Sequence, residues 1–263
     1  GYHAVSVIAD AYMKGIRGFD TTLALEAMVA SANTDLFGLP SYRKYGFVRA
    51  EDEHESVSKT LEYSYDDWCI AQMARAMGED SIADVFDKRA EYWRNIINPE
   101  TGFATPRYNG DWIKDFDPKQ VNLHFTEANS WQYSFVQQEM GMLNSSDNLE
   151  KRLDALFSEH QTTTGRNQVD ITGLIGQYAH GNEPSHHIAY LYNYTDHPEK
   201  GQKIIKHICD SFYTNAPDGL IGNEDCGQMS AWYVLSMSGF YPIAPSEGKY
   251  YSGLCLFDSV KYN

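Results

Sequence analysis

Basic residues are scarce in this chain. Against 36 Asp and Glu stand 21 Lys and Arg, a formal net charge of −15 at pH 7. A chain so acidic has little with which to neutralise phosphates, which argues against nucleic acid as a partner. The acids are spread along the chain rather than gathered in a tail, as on a solvated surface. Calcium and neutral polar substrates stay open as ligands. Long apolar runs are missing, so no transmembrane segment is expected. Cysteine is limited to Cys69, Cys209, Cys226 and Cys255, with neither C-x-x-C nor Cys/His zinc spacing. Buried free thiols are the expectation. A leader is also missing, because the chain opens directly on the helical pattern GYHAVSVIADAYMKG. It reads as cut from something longer. No transferable repeat accompanies its helices, which excludes the common solenoid families.

Aromatics, by contrast, make up 14% of the residues, with 19 tyrosines. Most belong in a core, and a surplus in polar loops would suit sugar binding. Apolar spacing is helical almost throughout. The first helix carries Val5, Ile8, Ala9 and Tyr12, and the second starts after Asp20. A polar loop with Gly38, Pro40 and Gly46 precedes a third helix from about Ser56, ended by Gly78. Ser81 and Asp84 form a capping-box pattern for the fourth, whose stripe includes Phe86, Arg89 and Trp93. Residues 98 to 128 read as a long loop or short hairpin. Helix five starts near Ser130 and runs to Met142; helix six starts near Asp147 with Leu149, Leu153 and Leu156. Pro184 and Pro198 suit the first turns of helices seven and eight. Helix nine begins near Gln228, and the tail YYSGLCLFDSV reads as a strand. Tight and long connections alternate, so the expected fold class is all-α: helical hairpins closing into part of an α/α toroid.

Three polar clusters stand out, HFTEANSWQY around Glu127, HGNEPSHH around Glu183 and GNEDCGQMSAWY around Asp225. Each precedes an odd-numbered helix, so in a ring of antiparallel hairpins they share one rim. Converging carboxylates suit general acid/base work, as in glycoside hydrolysis. The bland alternative is that each acid caps a helix N-terminus. Asn182 and Glu183 put two oxygen ligands side by side, a pairing that suits calcium. Zinc would need His180, His186 and His187, but adjacent helical histidines diverge and H-E-x-x-H is absent. Those histidines either contact a ligand or are buried, satisfied rings. With Trp131, Asn223, Glu224 and Gln228 they are the candidate substrate contacts.

HGNEPSHHIAYLYNY, GNEDCGQMSAWYVLSMSGFYPI, TEANSWQYSF and the opening GYHAVSVIADAYMKGIRGFD together resemble the α-mannosidases of glycoside hydrolase family 92. The resemblance runs in order along essentially the whole chain. It implies a calcium-dependent, inverting, exo-acting α-mannosidase that releases terminal mannose from glycans, secreted or periplasmic. It also implies that residues 1–263 are the later part of an (α/α)6 catalytic domain, without its N-terminal β-sandwich and first barrel helices. On that resemblance Glu127 matches the general acid, Asp225 the general base, and Asn182 and Glu183 the calcium segment. Some members carry a second acid two positions before the base, where this chain has Asn223. The rival expectations are another toroid glycosidase, a polysaccharide lyase, or a non-catalytic carbohydrate-binding fragment.

Overall fold

The computed structural model describes residues 1–137 and 146–261. Met142 lies outside the described residues. The chain divides into two compact units. One comprises Gly1–Pro118, Asn122–Thr126 and Ala244–Gly248; the other comprises Lys119–Val121, Glu127–Ile243 and Lys249–Asn263.

The first unit is built around the helix Ser56–Met77, which packs against Asp80–Ala90 and Ala4–Met13. At 22 residues it is roughly 33 Å long. It is buried on nearly every side, including Asp66 and Asp67, so no single apolar stripe describes it. Gly78 ends it in the left-handed region at φ 81°, as a glycine there should. Thr21–Ala32 starts where expected, since the Asp20 carboxylate accepts the Leu23 N–H at 3.0 Å. Two expectations need correction. The Gly38–Gly46 loop holds a short helix, Leu39–Tyr45, with Pro40 in its first turn. The Asp80–Ala90 helix starts before Ser81 and has no side-chain cap, so the capping box does not form.

Arg89, an odd member of an apolar stripe, is explained by Asp67. Its Nε donates to Asp67 Oδ2 at 2.8 Å, with both side chains buried. Tyr2 and Tyr42 donate to the same carboxylate at 2.7 and 3.0 Å. Burial pushes the Asp67 carboxyl up to about 7, against the pull of Arg89 and the two phenols. The residues 244–248 close the unit from far along the chain: Tyr65 donates to the Pro245 carbonyl at 2.6 Å, and Ser246 N–H to Asp10 at 2.9 Å.

The second unit is less regular. The helices Ser146–Ser158 and Pro198–Phe212 pack on a 3-10 segment, Ile188–Tyr194, and Gln228–Met237 packs on Pro198–Phe212. Leu149, Leu153, Leu156, Ile205 and Ile208 are buried as their spacing requires. Helix five, expected from Ser130, has one described helical turn, Ser130–Tyr133. Helix seven, expected at Pro184, is two 3-10 pieces, Glu183–Ser185 and Ile188–Tyr194. Across both units the described residues add four two-stranded ladders of two residues each. The fold is helix-rich rather than purely α. The expected tail strand is the pair Tyr251–Ser252 on Phe240–Tyr241. Cys69 and Cys209 are buried, but Cys226 and Cys255 are exposed, which corrects the expectation for those two. No helix among the described residues is long and apolar enough to cross a membrane.

Asp67→Leu should strand the Arg89 guanidinium and cost about 3–5 kcal/mol in urea unfolding. The double variant Asp67→Leu/Arg89→Met should recover most of it, because Tyr2 and Tyr42 keep second acceptors at the Tyr63 and Arg89 carbonyls. A single variant within about 1 kcal/mol of wild type would show the pair to be energetically idle.

Candidate active site

Three loops of the second unit carry the three clusters, and the fold brings them together. Asn182 donates to the Glu127 carbonyl at 3.1 Å and reaches Glu127 Oε2 at 3.4 Å. The next residue, Glu183, has its carboxyl hydrogen-bonded to Asp225 and within the field of Glu127. The Asn182–Glu183 step thus stands between the other two acids. Glu183 is open to solvent on one side, but partial burial raises its pKa, and the negative charges of Asp225 and Glu127 raise it further. Two carboxyls can share a hydrogen bond only if one keeps a proton, so the cluster holds charge unevenly.

Helix capping does not account for Glu127 or Asp225, because neighbours do that work. Asn129 caps the turn Ser130–Tyr133 in a capping box, with Asn129 N–H donating to Gln132 Oε1 at 2.9 Å. Gln177 fixes that box, accepting from Asn129 Nδ2 and, at its carbonyl, from Gln132 Nε2, both at 2.9 Å. At the other helix Glu224 accepts from the Ser230 and Gly227 N–H groups; the Ser230 side chain, and then these N–H bonds, hold its carboxyl below the usual range. Glu224, a candidate substrate contact, is a helix cap here. Glu127 and Asp225 instead sit in the left-handed region at φ 51° and 53°, and Cys226 follows at 54°. Such backbone costs a non-glycine residue roughly 1–2 kcal/mol and persists only where the surroundings impose it.

The histidines lie behind the acids. His180, His186 and His187 are 0%, 2% and 4% exposed. Tyr213 donates to the Met229 carbonyl at 3.2 Å, so its hydroxyl accepts from His180 Nε2 at 2.7 Å. His180 Nδ1 is then left to accept from Tyr178 at 2.8 Å. His186 follows the same rule: Gln228 donates to Nδ1 at 3.0 Å, and Nε2 donates to the His180 carbonyl at 2.9 Å. In His187, Gln137 donates to Nδ1 at 3.3 Å and Nε2 donates to the Phe135 carbonyl at 2.7 Å. All three rings are therefore neutral Nε2–H tautomers. Burial pushes His180 down to about 2, and His186 and His187 to about 4. Of the alternatives for these rings, ligand contact or satisfied burial, the geometry has the second, so they support the site from behind. Trp232 completes the support, its ring centroid 4.4 Å from His180 and its indole N–H donating to the His186 carbonyl at 2.9 Å. Gln228 is likewise committed, to His186 and, at 3.2 Å, to Tyr241. Trp131 is half-buried on the turn after Glu127, and the exposed Asn223 donates to Asp170 at 3.2 Å. Asp170 and Gln177 carried no motif and were legible only through the fold.

Among the described residues no three His, Cys, Asp or Glu side chains are close enough to cage a metal ion. The donors at the site nonetheless fit a hard cation in kind: an amide, carboxylates and backbone carbonyls, with clustered negative charge that a cation would relieve. Asn182 and Glu183 would be the residues to hold one.

The whole chain, residues 1–263, matches the family described as the glycosyl hydrolase family 92 catalytic domain. It resembles a family 92 α-mannosidase of Bacteroides thetaiotaomicron, solved in complex with mannoimidazole, at 45% identity and a TM-score of 0.91. That match covers 97% of this chain and 35% of the other. A family 92 inverting mannosidase of the same organism is 34% identical, with a TM-score of 0.81 over 96% of this chain and 37% of its own. A curated relative from Arthroderma benhamiae, described as an uncharacterized secreted glycosidase, is 26% identical over 99% of this chain and 37% of its own length. The chain spans little more than a third of these relatives. It belongs to glycoside hydrolase family 92 and is a glycoside hydrolase sequence.

If the left-handed backbone at Glu127 is imposed by the site, Glu127→Gly should not destabilise the protein. It should raise the unfolding free energy by up to about 1 kcal/mol. Glu224→Ala should lower it, through the loss of a cap. Chemical unfolding of both variants checks this, and the reverse ranking would make Glu127 the structural residue.

Proposed function

We propose that this chain carries the acid/base site of an inverting, exo-acting α-mannosidase that removes terminal mannose from glycans. The observation that supports it best is the convergence of Glu127, Glu183 and Asp225 on three loops, with the caps beside Glu127 and Asp225 supplied by Asn129 and Glu224. Family membership and the α-mannosidases it resembles supply the substrate class. On the same reading the helices belong to an (α/α)6 toroid, of which residues 1–263 form the later part. The protein works outside the cytoplasm, secreted or periplasmic, in keeping with the secreted relative.

The mechanism follows from the chemistry of the residues. Asp225, ionised, takes a proton from a water on one face of the terminal sugar. Glu127, protonated, gives its proton to the departing glycosidic oxygen on the other face. An inverting pair must leave room for that water, with carboxyls roughly 6.5–9.5 Å apart. The Asn182–Glu183 step standing between the two acids suits such a spacing. Asn182 and Glu183 would hold calcium, which when bound would supply a positive charge to orient the sugar's hydroxyls and favour the oxocarbenium-like transition state. Asn182, whose amide nitrogen faces Glu127, keeps that acid's backbone in place. The dry histidine–tyrosine–tryptophan layer behind the loops excludes water from their rear.

Kinetics of the full-length protein test the roles. Glu127→Gln should cut kcat/KM on a mannose disaccharide by about 10²–10⁴-fold. An activated aryl mannoside needs little acid help and should be spared. Asp225→Asn should damage both substrates alike, because no leaving group replaces an activated water. Dialysis against EDTA should abolish mannose release and added calcium restore it. Full activity after chelation would remove calcium from the account. Near-normal kcat/KM in either variant would remove that residue, and a wild type that releases no mannose would favour a non-catalytic carbohydrate-binding piece.

A further inference from the structure

One carboxylate beside the site has no part in the proposed reaction. Asp170 lies on the segment 168–173, which runs against two of the three site loops. The Gly181 N–H donates to the Thr172 carbonyl at 3.1 Å, and His180 N–H to the Gly173 carbonyl at 3.2 Å. Thr172 Oγ1 donates to the Ile221 carbonyl. The crossings are too close for side chains. A Cβ on Gly181 would collide with Thr172 Oγ1, and one on Gly222 would lie 2.8 Å from the Gly181 carbonyl oxygen. The segment is therefore a strap joining the loop that leads to Asn182 and Glu183 with the loop that leads to Asp225.

Asp170 is half-buried in this strap and uses both carboxylate oxygens. Oδ2 accepts from Gln168, and Oδ1 accepts from Asn223 Nδ2 at 3.2 Å. Asn223 is two residues before Asp225. The Glu224 carboxylate reaches across Asp225 to the Gly227 and Ser230 N–H groups and ties the downstream end of the turn into the helix cap. Between these anchors Asp225, Cys226 and Gly227 run through three successive left-handed conformations, at φ 53°, 54° and 101°. Backbone of that kind is held from outside. The downstream hold is Glu224. The upstream hold is the Asn223 amide on the Asp170 carboxyl group.

We propose that Asp170 is a positioning residue for Asp225, acting through Asn223 to fix the loop that presents the base. The proposal rests on the reading of Asp225 as the base. It is tested by transposing the charge in the full-length protein. Asp170→Asn sets two amides against each other, and Asn223→Asp sets two carboxylates against each other. Either alone should lower kcat about tenfold or more, with KM changing little. The loss should be equal on aryl mannoside and disaccharide, the pattern of a misplaced base. The double variant Asp170→Asn/Asn223→Asp rebuilds the pair in reverse and should bring kcat back to within about threefold of wild type. A role confined to stability predicts no such rescue, since two damaging changes would add. An active wild type whose Asp170→Asn variant keeps full kcat, or a double variant no better than the singles, overturns the proposal while leaving the acid/base reading standing. A wild type without mannosidase activity overturns both.

Discussion

The second unit depends on keeping one imidazole dry. His180 ties together more of the site than any of the acids does. Its N–H reaches the strap at Gly173, its carbonyl takes the His186 proton, and its ring bridges Tyr178 and Tyr213. The two ring bonds are defined only while the ring is neutral, and burial ensures that. A protonated ring could not accept from Tyr178, and that bond would be lost. The loop that follows, Gly181–Asn182–Glu183, is thus set from behind by a network with no spare donors. The acids in front of it can be crowded and strained without moving.

That separation of labour runs through the whole site. Caps, which stabilise, are assigned to Asn129 and Glu224. The neighbouring Glu127 and Asp225 take the left-handed backbone and the like-charge crowding, both of which cost stability. An acid that only served the fold would sit the other way round, relaxed and capping. The first unit offers a contrast. There the buried acid Asp67 is matched by Arg89 and two phenols, and nothing about it is left unsatisfied.

Much of this was legible from residue patterns, and the failures have physical reasons. Helices with clear punctuation, such as Ser56–Met77 before Gly78 and Pro198–Phe212 behind its proline, read correctly. Leu39–Tyr45 did not, because Gly38, Pro40 and Gly46 suggest a loop when they are in fact the start and stop of one short helix. Ile188–Tyr194 has helical apolar spacing but winds as a 3-10 segment, and spacing over seven residues cannot separate the two. The three acidic clusters were visible as motifs, but their meeting was expected from a count of hairpin helices that left out Leu39–Tyr45 and took the 3-10 pieces after Asn182 for a helix. The residues that hold them were not visible. Asp170 and Gln177 sit in stretches without motif or period, and their importance lies in contacts 53 and 48 residues away in sequence. The histidines carried the opposite error, since residues rich in chemistry turned out to be committed to the interior.

The central claim is that Glu127 and Asp225 act from opposite faces of one sugar, with a water between base and anomeric carbon. The stereochemistry of the first product reports this directly. Proton NMR of the full-length protein acting on an α-mannoside, recorded before mutarotation, should show β-mannose appearing first and the α-anomer growing in only afterwards. Initial release of α-mannose would mean a covalent intermediate and a carboxylate acting as nucleophile, and would contradict the assignment of Asp225 as a base.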